Sequence, residues 1–123
     1  MDSHKIMVIH DEKIVCDMAR VSLEHEGYVV ETFRNADTAL ERMKEKAFHV
    51  VVTDYKMKGA DGTEVPRTVK SAYPTTRVIM LTAFAKFDAA LEAIRRDVYD
   101  FFPMPVKLTD LKASIRRALE TAA

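Results

Sequence analysis

The chain has 123 residues, which suits one domain, and we predict a single domain over residues 1–123. Its 19 basic and 19 acidic residues cancel, so charge gives no reason to expect nucleic acid or an anionic membrane as the main partner. The apolar run near the N-terminus is too short for a signal peptide or a membrane span. The single Cys16 cannot form an internal disulfide, which predicts a cytoplasmic protein.

The first third of the chain alternates between strand and helix patterns. Ile6–Ile9 is a short apolar run that predicts a buried strand. Glu12–Glu26 is predicted as a helix, and Gly27 stands where a glycine commonly ends one. The apolar residues at helical spacing in this segment are Ile14, Val15, Met18 and Val21. Tyr28–Phe33 alternates like a partly buried strand.

The middle of the chain continues the alternation. Ala36–Glu45 is predicted as a helix with Asn35 as its N-cap. Phe48–Thr53 is rich in β-branched residues and is the strongest strand signal in the sequence. After a loop containing glycines, a helix is predicted over Thr63–Ala72, with Pro66 near its first turn, where proline is tolerated.

The last third completes five strand–helix units. The predicted elements are a strand over Arg77–Leu81, a helix over Phe87–Arg96, a strand over Tyr99–Phe102 and a helix over Leu108–Thr121. Apolar strands separated by helices imply a parallel sheet that is covered on both faces, which is a doubly wound α/β fold. In such folds the functional site lies at the carboxyl ends of the strands.

Polar side chains follow three of the predicted strands. Strand one ends in His10 and Asp11, strand three in Asp54, and strand four in Thr82. With the segments IMVIHDE, VVVTDYKMKGADGTE, VIMLTAFA and VYDFFPMPV, the chain resembles the response-regulator receiver domains of two-component systems over essentially its whole length. The last two segments resemble receivers of the nitrogen-regulator kind. The resemblance implies a flavodoxin-like (β/α)5 three-layer sandwich.

The resemblance also implies a phosphate-operated switch. Asp54 matches the aspartate that takes a phosphoryl group from a histidine kinase. Asp11, Asp54 and the backbone carbonyl of Lys56 match the ligands of Mg²⁺, which is needed because a carboxylate attacking a phosphoryl group meets like charge. Thr82 matches the hydroxyl that binds a phosphoryl oxygen, and Phe101 matches the aromatic switch residue. We expect no enzyme activity beyond self-catalysed phosphotransfer and dephosphorylation at Asp54.

Two positions depart from the family pattern. His10 stands where the family has an acid, and Met104 stands where it has a lysine that binds the phosphoryl group. Methionine offers neither a charge nor a donor. We therefore expect an impaired or retuned acceptor. We favour His10 as a space-filling, hydrogen-bonded residue over a ligand for a transition metal, although imidazole suits such metals better than Mg²⁺. Lys58 or Lys86 could replace the missing charge, but both are typical of surface lysines.

Two function hypotheses remain, with different partners. The first is a phosphorylated switch that meets a histidine kinase and passes its signal to an output domain or protein. The expected output surface is the fourth helix, fifth strand and fifth helix, about Phe87–Glu120, on which basic residues could form a patch; they are Arg95, Arg96, Arg116 and Arg117. The resemblance also allows a homodimer. The second hypothesis is a pseudo-receiver that binds proteins without phosphate control. An aspartate-nucleophile phosphohydrolase is disfavoured because Asp54-Tyr55-Lys56 lacks a second acid.

Overall fold

The computed structural model describes residues 3–55, 64–82 and 97–121. Five parallel strands form one sheet in the order β2-β1-β3-β4-β5. The strands are β1 (Lys5–Ile9), β2 (Val29–Phe33), β3 (Val50–Asp54), β4 (Arg77–Thr82) and β5 (Asp100–Pro103). The helices within the described ranges are α1 (Lys13–His25), α2 (Ala36–Glu45), α3 (Glu64–Ala72) and α4 (Leu108–Thr121). The doubly wound fold is confirmed, and the helix predicted over Phe87–Arg96 lies outside the described residues.

Helix ends follow the local chemistry that the sequence indicated. Asn35 is the N-cap of α2, and its side chain accepts a hydrogen bond from the backbone N–H of Thr38 at 2.9 Å. Gly27 follows α1 with a φ of +93°, a conformation that side chains rarely adopt. The start of β3 differs from the prediction, because the Phe48 carbonyl accepts from the Thr76 hydroxyl at 2.6 Å and the strand begins at Val50.

The sheet separates two apolar cores, one under each pair of helices. Helices α1 and α4 cover one face and α2 and α3 cover the other. The first core contains, besides strand residues, Ala19, Leu23, Leu111, Ile115 and Ala118; the helix residues of the second are Ala36, Ala39, Met43, Val65 and Val69. Because consecutive strand side chains point to opposite faces, a strand buried on both sides is apolar at nearly every position. This explains the unbroken VVV run of β3.

Helix α1 is apolar on two opposite faces. Its buried residues are Cys16, Ala19 and Leu23. Three larger apolar residues that gave the segment its helical spacing face solvent instead, with Ile14 64%, Met18 55% and Val21 69% exposed. The small side chains of Cys16 and Ala19 allow the helix to lie close to the sheet. The outward row of Ile14, Met18 and Val21 is called the α1 stripe below.

Candidate functional site

The strand order places the candidate site at one edge of the sheet. β1 and β3 are neighbours although β2 lies between them in sequence, so the chain order reverses at this point. Asp54 is the last residue of β3 and pairs with Leu81, next to Thr82 at the end of β4. His10 and Asp11 directly follow β1. Residues far apart in sequence therefore share the carboxyl edge, where ligands bind in open α/β sheets.

Asp54 is a largely buried carboxylate at the centre of this edge. Its side chain is 13% exposed. Burial raises the pKa of Asp54, and the nearby acids Asp11 and Glu12 raise it further, while His10 and the backbone N–H of Tyr55 act in the opposite direction. A carboxylate that is short of solvent and faces like charge benefits from a cation or hydrogen-bond donor.

His10 lies between the two aspartates. Its side chain is 4% exposed, with Nδ1 3.6 Å from Asp11 Oδ1 and Nε2 3.6 Å from Asp54 Oδ2. The backbone N–H of Glu12 donates to Nδ1 at 3.1 Å. The imidazole thus contacts the two carboxylates that were expected to bind a cation, and it brings no negative charge of its own.

Arg34 lies at the edge of the candidate site, although the sequence did not predict it there. Its Nε and one terminal nitrogen both donate to the Asp11 carbonyl, at 3.0 and 2.9 Å. Arg34 follows β2, and only the parallel pairing of β1 with β2 brings it here. The two hydrogen bonds fix the backbone of Asp11, whose side chain is 27% exposed. No local sequence signal marks this contact.

Thr82 and Met104 meet at the next strand end. Thr82 is fully buried, and its carbonyl accepts the backbone N–H of Met104 at 2.6 Å. Met104 packs against the first apolar core, so its thioether extends the core at the position where a lysine was expected. Phe101 is partly buried against Tyr55 and Met80.

The donor atoms fit a hard cation better than a soft one. Asp11 and Asp54 supply carboxylate oxygens, which Mg²⁺ prefers, and Mg²⁺ keeps several waters, so few protein ligands suffice. His10, Asp11 and Glu12 offer potential ligand atoms within 4.8 Å of one another. However, Nδ1 of His10 already accepts the Glu12 N–H, which does not favour the imidazole as a ligand. Lys56, Lys58 and Lys86 lie outside the described residues.

The expected output surface is only partly covered by the described residues, and Arg95 and Arg96 lie outside them. The Ser114 hydroxyl donates to Asp100 at 2.5 Å, which joins α4 to β5. Arg116 lies 3.7 Å from Glu26, and Arg117 lies 3.6 Å from Asp100. Both arginines therefore face an acid, which reduces the positive charge of the predicted patch.

Comparison with known proteins defines the family. Residues 6–116 match the family described as the response regulator receiver domain. The nitrogen assimilation regulatory protein NtrX of Azorhizobium caulinodans is 31% identical over 121 residues, covering 97% of this chain and 27% of that protein. The chain thus spans about a quarter of the length of this relative.

Two solved structures carry the same architecture. A CheY-like receiver domain from Methanospirillum hungatei JF-1 superposes with a TM-score of 0.90 at 24% identity, covering 97% of this chain and 95% of that one. The beryllofluoride-activated NtrC4 receiver domain dimer gives a TM-score of 0.87 at 28% identity, covering 97% and 98%. The chain belongs to the response-regulator receiver family, and it is similar to the receiver domains of nitrogen regulators.

Membership of this family defines the general chemistry. Receiver domains of two-component systems are phosphoacceptors that bind Mg²⁺ at the phosphorylation site and interact with histidine kinases and output domains. Within the described ranges, no helix has the length and apolar content needed to cross a membrane.

Proposed function

We propose that residues 1–123 act as a phosphorylation-operated receiver whose phosphoacceptor is Asp54. The observation that carries this proposal is the position of Asp54, largely buried at the switch point of the sheet, with His10 and Asp11 beside it. Thr82 ends the neighbouring strand at the same edge. We further propose a cytoplasmic location, in keeping with the free thiol of Cys16.

The proposed reaction moves one phosphoryl group. The P–N bond of a phosphohistidine on the kinase breaks, a P–O bond to an Asp54 carboxylate oxygen forms, and the kinase imidazole leaves as the neutral base after taking a proton. Mg²⁺, held by Asp11, Asp54 and the Lys56 carbonyl, would neutralise the charge that the attacking carboxylate and the phosphoryl oxygens share. The protein's own task is to orient Asp54 and limit its access to water.

Two residues retune this acceptor. His10 removes one negative charge from the cation site, and Met104 removes the ammonium donor that the family uses beside the phosphoryl group. We propose that Asp54 is phosphorylated more slowly than in receivers that retain both groups. His10→Asp is expected to raise Mg²⁺ affinity, and Met104→Lys is expected to raise labelling of Asp54. No gain from either would refute this explanation of the altered site.

Signal output is proposed to start at Thr82 and Phe101. A phosphoryl group on Asp54 would attract the Thr82 hydroxyl, and Phe101, packed on Tyr55 at the end of β3, would change its rotamer in response. β5 continues into contacts with α4 through Asp100 and Ser114. We propose that this face, with the segment of residues 83–96, binds the output partner or a second copy of the chain, as the likeness to the NtrC4 receiver dimer supports.

The α1 stripe is the proposed docking surface for the kinase. Ile14, Met18 and Val21 form one outward row, and Ile14 lies in the first turn of α1, directly after the site residues of the β1 end. An apolar row on a helix suits a partner helix packed along it. Because the row begins beside Asp11, a kinase helix packed there carries its histidine near Asp54.

Incubation with Mg²⁺ and acetyl phosphate tests the proposed function directly. Asp54 is expected to be labelled, as detected by the mass of the intact protein, and Asp54→Asn is expected to abolish the label. The matched control Asp97→Asn changes a partly exposed aspartate that is paired with Lys70, and should leave labelling intact. Failure of the wild-type protein to be labelled, or unchanged labelling of Asp54→Asn, would refute the proposal.

A pseudo-receiver is the second candidate, and the loss of both an acid and a donor at positions 10 and 104 favours it. This candidate predicts no response of the site to Mg²⁺. Titration of Mg²⁺ followed by amide NMR separates the two, because a functional acceptor should show saturable shifts at Asp11 and Asp54. Absence of such shifts, together with absence of labelling, would establish the pseudo-receiver.

A further inference from the structure

His10 is a buried polar residue at the carboxyl end of β1. It is 3% exposed. Its backbone N–H donates to the Phe33 carbonyl at 3.0 Å, and its own carbonyl accepts from the Cys16 thiol at 3.4 Å. The end of β2 and the first turn of α1 therefore fix the backbone of His10, and the Glu12 N–H fixes the ring through Nδ1. Because the ring is held in this way, the same ring nitrogen, Nε2, always faces Asp54.

The hydrogen bond to Nδ1 decides whether the other ring nitrogen, Nε2, is a donor or an acceptor. A neutral imidazole has one nitrogen with a hydrogen and one with a free lone pair. Since Nδ1 accepts the Glu12 N–H at 3.1 Å, its lone pair is used and the hydrogen is on Nε2. A nitrogen that bears a hydrogen cannot coordinate a cation. Nε2, which faces Asp54, is therefore a donor in this arrangement.

Nε2 of His10 lies slightly too far from Asp54 to form a hydrogen bond with it. Nε2 and Asp54 Oδ2 are 3.6 Å apart, whereas an N–H···O hydrogen bond spans about 2.7–3.2 Å. A phosphoryl group on Asp54 would bring additional oxygens into the space between Asp54 and Nε2, within reach of a hydrogen bond. A donor on a side chain that is only 4% exposed gains from such an acceptor, because little solvent reaches it.

We propose that His10 is a hydrogen-bond donor of the acceptor site, that its Nε2–H donates to an oxygen of the phosphoryl group on Asp54, and that the ring is not a metal ligand. This inference rests on the proposed function and deepens it. His10 makes and breaks no covalent bond in this role. It supplies a donor in a pocket where Met104 has none, so it supports the acyl phosphate at a position where the family's ammonium is missing.

Two substitutions of His10 test the roles of the two ring nitrogens one at a time. In His10→Gln the side-chain NH2 group reaches the position of Nε2 and keeps a donor towards Asp54. In His10→Asn the shorter side chain can accept the Glu12 N–H but cannot reach Asp54. Circular dichroism and thermal unfolding confirm that both variants are folded, and beryllofluoride binding in Mg²⁺, followed by ¹⁹F NMR, measures the site without a kinase.

The two variants are expected to differ. Loss of a hydrogen bond to a charged group should weaken beryllofluoride binding to His10→Asn by about tenfold or more, while His10→Gln should stay within about threefold of the wild type. Equal affinities for both variants and the wild type would overturn the role of His10 and leave the proposed function intact. Absence of binding by the wild type itself would refute both.

The state of the ring gives a second readout that does not depend on phosphoryl chemistry. Long-range ¹H–¹⁵N NMR of the full chain should find the hydrogen of His10 on Nε2, unchanged when Mg²⁺ or Zn²⁺ is added, and should show Nε2 shifting when beryllofluoride binds. Loss of the Nε2 hydrogen on stoichiometric addition of Zn²⁺ would make His10 a metal ligand and overturn the proposal.

Discussion

If the kinase docks on the α1 stripe, the exposed fractions of its side chains predict how much their removal weakens phosphotransfer. Met18 and Val21 are 55% and 69% exposed, so more than half of each side chain is available to a partner. Full burial of such a side chain is worth about 2 kcal/mol, so covering the exposed part of each contributes roughly 1 kcal/mol. The double substitution Met18→Ala and Val21→Ala should therefore cost about 2 kcal/mol of docking, or about 30-fold in affinity.

The assay compares two phosphoryl donors on the same variant. Profiling against purified histidine kinases identifies one that labels the wild-type chain, and kcat/KM for transfer from that kinase is expected to fall about 30-fold in the double variant. Labelling by acetyl phosphate should not change, because a small donor needs no docking surface. Val29→Ala is the matched control, since Val29 is 41% exposed but lies at the amino end of β2. Equal losses with both donors would refute the docking role of the stripe.

Three stability predictions follow from other contacts. Leu23→Ala, at a fully buried position of α1, should cost about 3 kcal/mol in urea unfolding; a loss below about 1 kcal/mol would contradict the packing. Asn35→Ala removes the N-cap of α2 and should cost about 1 kcal/mol, whereas Asn35→Asp, which keeps the cap, should cost little. The hydrogen bonds from Arg42 lower the pKa of Glu31. Because the folded pKa lies below the unfolded one, this pair stabilises the fold above the ordinary glutamate range and its contribution is lost as pH falls through the folded pKa. Glu31→Gln should therefore lose stability against the wild type at neutral pH but not in strong acid, and a pH-independent difference would contradict the assignment.

Much of the fold could be predicted from the sequence because its signals are local. The VVV run of β3, the N-cap at Asn35 and the glycine after α1 each depend on neighbours a few residues away. Alternation of buried strands with helices then leaves few topologies for the sheet. Asp54 could therefore be predicted to lie at the carboxyl end of the third strand, and resemblance to a family implied its role.

The contacts of the site depended on tertiary structure, because they join segments that the sequence separates. Sequence spacing marked the apolar row of Ile14, Met18 and Val21 as helical, but only packing against the sheet showed that Cys16, Ala19 and Leu23 form the buried face. Likewise, pairing of β1 with β2 brings Arg34 to the Asp11 carbonyl.

The identity of residue 10 was visible in the sequence, but its chemistry was not. A histidine after a strand can be a ligand, a donor or an acceptor, and its two nitrogens are distinguished only by what each one contacts. The order of strands in the folded sheet placed His10 and Asp54 at the carboxyl ends of neighbouring strands. The folded backbone decided that the Glu12 N–H occupies Nδ1 and that Nε2 faces the carboxylate, because a hydrogen bond depends on distances of tenths of an ångström that no residue pattern encodes.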